Sequence, residues 1–129
     1  MSYAEADVAL ARKIADGLRR EGIDVWLADE GIIPGDNWAE KVAQALQQSQ
    51  AMVVLYTDHT RTASWVHREV EFALGNKGYT DRVVPVLVGE TPLDSMPWIL
   101  RQFQVVHLAD EGETDRAVKQ ILQTLLAAA

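Results

Sequence analysis

Trp65 and Glu69 are the residues whose types and spacing come nearest to a chemical site. Four positions apart, they share one helical face and lie about one turn from each other. Val66 and Val70, which should seek the core, fall on a different face. A fixed carboxylate beside a flat indole can stabilise developing positive charge and stack on an aromatic or cationic ring. By residue type alone, Glu69 reads as a solvated helix carboxylate and Trp65 as a core anchor. Glu71, on the same helix but another face, is read as solvent-facing.

Other side chains offer less. His59, His67 and His107 have no spacing that suggests a metal site, and none is expected. The absence of cysteine excludes disulfides, thiolate ligands and Cys nucleophiles, and fits a reducing compartment. Ser64 reads as a helix cap without a base to activate it, Asp36 and Asn37 as helix-start residues, and Arg61 and Arg68 as surface charge. Twelve Lys and Arg against nineteen Asp and Glu give a net charge of −7, which argues against a nucleic-acid partner. No apolar run approaches the roughly 18 residues that span a bilayer. The start Met1-Ser2-Tyr3-Ala4-Glu5 lacks the basic and apolar parts of a secretory signal. A cytoplasmic protein with no membrane partner is expected, folded as one domain over residues 1–129, since its 48% hydrophobic content suffices for a single core.

The elements that must position these residues alternate in period. A helix from Asp7 to Arg20 buries Ala11, Ile14, Ala15 and Leu18, with Asp7 as its cap and Gly22 as its stop. Val25-Trp26-Leu27 reads as a short buried strand, and 29–37 as a loop. Asn37 and Glu40 form a capping box for a helix that buries Val42, Ala45 and Leu46. The apolar run 51–56 reads as a strand covered on both faces. A helix over 65–74 follows, ended by Gly75 and Gly78. Then come a strand over 82–88, a loop over 89–97, a short strand over 104–108 and a helix over 114–126 that buries Val118, Ile121, Leu122 and Leu125. Such alternation implies an α/β fold, a flavodoxin-like three-layer sandwich whose parallel sheet has order 2-1-3-4-5 with helices on both faces. That order needs a central first strand, yet only Met1-Ser2-Tyr3 precedes the first helix. Either the chain is excised from a longer protein or a very short strand suffices.

Several segments together resemble a Toll/interleukin-1 receptor (TIR) domain of the bacterial type. Ser2-Tyr3-Ala4-Glu5-Ala6-Asp7 is similar to the end of that family's first strand and the loop after it. Val25-Trp26-Leu27 and Ile33-Pro34-Gly35-Asp36-Asn37-Trp38 resemble its second strand and BB loop, where members often carry Arg-Pro-Gly-Asp-Ser-Trp. Ser64-Trp65-Val66-His67-Arg68-Glu69 resembles the opening of the helix that bears an NAD-cleaving glutamate, and Val84-Pro85-Val86 the fourth strand. Three departures stand out: most of the first strand is absent, Ala28 replaces an Asp that Asp29 next door can stand in for, and Ile33 replaces an Arg.

The resemblance implies an NAD+ glycohydrolase or cyclase with Glu69 catalytic and Trp65, Tyr3, Trp38 and Asp29 as substrate-binding residues. NAD+ is then the substrate, and no cofactor is implied. Cleaving the nicotinamide–ribose bond develops oxocarbenium character, which a carboxylate stabilises. It also implies self-assembly with other TIR domains through the loop Glu30–Asp36, and a setting in bacterial immunity or virulence. The alternative is a non-catalytic TIR scaffold, favoured by the adjacent Ile32 and Ile33. A phosphorylated receiver domain fits less well, because the 53–57 strand ends without the necessary Asp.

Overall fold

Two backbone hydrogen bonds bring the start of the chain into the sheet: Ser2 N–H to the Val53 carbonyl at 2.8 Å, and Leu55 N–H to the Ser2 carbonyl at 2.9 Å. The computed structural model describes residues 1–31, 33–60 and 82–128. The expected helix over 65–74, with Ser64, Trp65, Glu69 and its glycine stops, lies outside the described residues. The start of the chain enters the sheet as a single parallel bridge, Ser2 to Val54.

Beside it run β1 (Met52–Tyr56), β2 (Val83–Val88) and β3 (Val106–Leu108), parallel throughout and in that spatial order. β1 pairs with β2 from Met52↔Val83 to Tyr56↔Leu87, and β2 with β3 from Val86↔Val106. Met52 N–H reaches the Arg82 carbonyl, so even-numbered residues of β2 turn their polar groups to β1 and odd-numbered ones to β3. Pro85 therefore points its missing N–H toward β3, one residue before that pairing begins, and the central strand tolerates it.

The strands alternate cleanly between two faces. Val53, Leu55, Val84 and Val86 pack with Leu10, Ile14 and Leu18 of α1 (Val8–Arg20) and with Val118 and Ile121 of α5 (Thr114–Ala128). Met52, Val54, Tyr56, Val83 and Leu87 pack on the other face with Met96 and with Leu100 of α4 (Trp98–Arg101). The result is the three-layer, flavodoxin-like α/β arrangement. Helices α1 and α5 meet closely at Gly17, where an added Cβ would lie 2.7 Å from Val118 Cγ2.

Helix ends follow the sequence in most places. Gly22 has φ +86°; its N–H bonds the Arg19 carbonyl and Ile23 N–H bonds that of Leu18, a complete Schellman stop for α1. Asn37 accepts from Glu40 N–H at 3.1 Å and opens α3 (Trp38–Gln48), which buries Val42 and Ala45.

Four expectations need correction. Residues 25–27 form no strand: the Met1 ammonium reaches the Trp26 carbonyl at 3.0 Å, but the neighbouring segment enters the sheet as an isolated bridge at Ser2 and presents no extended ladder. The loop 29–37 begins with a helical turn, α2 (Ala28–Gly31), because Glu30 and Gly31 N–H both reach the Leu27 carbonyl. The loop 89–97 contains a 3-10 turn over Leu93–Ser95, and α4 follows it. Asp7 makes no side-chain cap to α1, which forgoes roughly 1 kcal/mol of helix stability.

Candidate functional site

In open parallel sheets, ligands bind beyond the carboxyl ends of the strands, where successive connections leave in opposite directions. Here that point lies between Ser2 and β1: the chain leaving Ser2 runs through α1 to the 25–27 segment on one side, and β1 is its neighbour on the other. Two polar clusters flank it.

The first joins Tyr3, Asp29 and Arg12. Tyr3 follows the sheet bridge and is only 3% exposed; its hydroxyl donates to Asp29 Oδ1 at 2.8 Å. Arg12, on the outer face of α1, donates to Asp29 Oδ2 from Nε at 2.8 Å and from a terminal guanidinium nitrogen. Burial, and then the bond to Asp29, push the Tyr3 phenol well above its ordinary pKa. Burial alone would raise the Asp29 carboxyl, but the hydrogen bonds from Tyr3 and Arg12, with the Arg12 charge, outweigh it and hold it below its usual value. One residue on, Glu30 Oε1 accepts from Arg19 at 2.8 Å, and the same guanidinium nitrogen reaches the Val25 carbonyl at 2.6 Å. Two arginines seven residues apart on α1 thus hold consecutive carboxylates of α2 and set the base of the loop that follows. At its tip Ile33 is 64% exposed. Asp36 folds back to accept from Ile33 N–H at 3.0 Å.

The second cluster joins Asp7 to the turn after β1. Thr57 donates its hydroxyl to Asp7 Oδ2 at 2.6 Å, and His59 Nδ1 lies 3.0 Å from Asp7 Oδ1. Thr60, 1% exposed, braces the turn: it accepts from Thr57 N–H at 3.0 Å and donates to the Leu55 carbonyl at 2.9 Å.

Of the residues expected to form a site, the structure brings Tyr3 and Asp29 into direct contact. Trp38 opens α3, with its side chain outside the description, as are Trp65 and Glu69 entirely. Sequence reading missed Arg12, Thr57, Thr60 and the true partner of Asp7. The sole local signal was the seven-residue spacing of Arg12 and Arg19 on the polar stripe of α1. Among the described residues, no group of three or more His, Asp or Glu is placed to hold a metal ion, and no helix is long and apolar enough to cross a membrane.

Comparison with known proteins agrees with this architecture. The model of the TIR domain family matches residues 1–122. The Stimulator of interferon genes protein of Magallana gigas is 27% identical over 125 residues, covering 94% of this chain and 30% of that protein. A solved metazoan TIR-STING receptor from C. gigas, in complex with 2′,3′-cGAMP, superposes with a TM-score of 0.74 at 23% identity, over 92% of this chain and 38% of that one. The chain thus spans about a third of the length of these relatives. With the family model covering nearly all of it, the chain belongs to the TIR domain family.

Proposed function

We propose that residues 1–129 form a single TIR domain that cleaves the nicotinamide–ribose bond of NAD+, releasing nicotinamide with ADP-ribose or a cyclic isomer, and that self-assembly activates it. The observation that carries this reading is the family match over residues 1–122, taken with the Ser64–Glu69 segment that resembles the family's NAD-cleaving helix. Glu69 supplies the carboxylate that stabilises oxocarbenium character at the ribose, and Trp65 a stacking surface. Trp38 borders the substrate, while Tyr3 and Asp29 act from beneath by fixing the neighbouring loop. NAD+ enters as substrate, with no further cofactor.

Assembly runs through the loop Glu30–Asp36, supported by the exposure of Ile33 on a base that Arg12 and Arg19 hold. The setting is cytoplasmic signalling in immunity. That setting is bacterial on the sequence resemblance, whereas the solved TIR-STING relative is a metazoan receptor. The second reading, a TIR scaffold without catalysis, draws on the same exposed Ile33. Product-resolved NAD+ turnover across a range of protein concentrations separates the two: the enzyme reading expects nicotinamide release that rises more steeply than protein concentration.

A further inference from the structure

The connection from β2 to β3 has two sides. Met96 and Leu100 are 1% and 2% exposed and seat it on the sheet. Leu93 and Trp98, in the same stretch, are 44% and 65% exposed. The backbone between them is held in place: the Tyr56 hydroxyl donates to the Ser95 carbonyl at 2.8 Å, Met96 N–H to the Leu93 carbonyl at 3.1 Å, and Leu100 N–H to the Pro97 carbonyl at 3.0 Å. A segment already ordered loses little freedom on binding, and an indole presented on it is the kind of anchor that carries interface energy.

Charge selects what covers it. The chain carries a net −7, so two copies repel at a distance and a contact between them needs local compensation. Asp94 precedes Trp98 by four residues and Arg101 follows it by three. Both are exposed, and neither forms an ion pair with another described residue. The segment therefore runs carboxylate, indole, guanidinium. Turned about a two-fold axis at Trp98, that pattern is its own complement. A basic peptide would leave Arg101 against like charge, and an acidic one would do the same to Asp94. We propose that a second copy of this chain covers this surface through a two-fold contact, in which Leu93 and Trp98 pack on their counterparts and Asp94 of each protomer faces Arg101 of the partner subunit. The contact is separate from the loop Glu30–Asp36 and does not depend on NAD+ cleavage. The patch is small, so the dimer is weak and depends on concentration.

Sedimentation velocity over a concentration series tests this, with the full chain carrying Ile33→Asp so that the loop contact is removed. That parent dimerises as concentration rises. Trp98→Ala, Asp94→Arg and Arg101→Asp each weaken the dimer by about tenfold or more, while thermal midpoints stay nearly unchanged because all three side chains are exposed. The Asp94→Arg and Arg101→Asp chains, mixed in equal amounts, associate again, because each charge then meets its opposite across the axis. The double variant does so alone. A parent that stays monomeric, charge variants that associate as well as the parent, or a mixture that stays monomeric overturns the proposal. A monomeric parent whose tryptophan fluorescence responds to oligolysine also overturns it, and makes the occupant a basic peptide.

Discussion

The Tyr3 hydroxyl donates to Asp29 Oδ1 across 2.8 Å, tying the residue after the sheet bridge to the turn that opens the 30–36 loop. Tyr3→Phe removes this bond while keeping the ring, and leaves the Arg12 bonds to Asp29 in place. The expected cost is about 1.5 kcal/mol, within the range for hydrogen bonds to charged groups, read from urea unfolding.

The same pair sets a pH dependence at both ends. Asp29 has a lowered pKa in the folded chain, so its contribution is present above the ordinary carboxylate range and is lost as pH falls through about 4 and below. Tyr3 has a raised pKa, so its contribution is present below about pH 10 and is lost as pH rises past that value. Asp29→Asn should flatten the acid limb of the stability curve, and Tyr3→Phe the alkaline limb. Unfolding midpoints measured from pH 3 to 11 check both signs.

Gly22 at φ +86° lets two amides close the end of α1. Nothing lies within 4 Å of an added Cβ there, so Gly22→Ala meets no clash and its effect is purely conformational. A destabilisation of about 1–2 kcal/mol is expected, visible as a lower thermal midpoint with an unchanged circular dichroism spectrum.

Ile14 is fully buried between α1, the sheet and α5. Ile14→Ala should cost about 2–5 kcal/mol through lost burial and a residual cavity. Ile33, by contrast, is 64% exposed. Ile33→Asp should leave monomer stability within about 0.5 kcal/mol and weaken self-association, read by sedimentation velocity over a concentration series.

Much of this was legible in the sequence because it is local. The helical stripe Ala11, Ile14, Ala15 and Leu18, the Gly22 stop, the Asn37–Glu40 cap and the apolar runs at 52–56 and 83–88 all carry their signal within a few residues. What was missed is long-range. Asp7 looks like a cap until the fold brings Thr57 and His59 within hydrogen-bonding reach, some fifty residues on. Arg12 looks like a solvated charge until α2 arrives with Asp29. The 25–27 run looks like a strand, yet a strand exists only if its neighbour offers a ladder, and the neighbouring chain pairs with the sheet as an isolated bridge at Ser2. Glu69 and Trp65 lie outside the described residues, so their role stands on the sequence and the family.

NAD+ turnover by the purified chain at high concentration, for wild type and Glu69→Ala side by side, tests the central claim most directly. The account predicts nicotinamide release by the wild type and its loss in the variant, with both proteins folded. Equal release by both would contradict the assignment of Glu69, and no release by a folded, assembled wild type would contradict the enzyme reading as a whole.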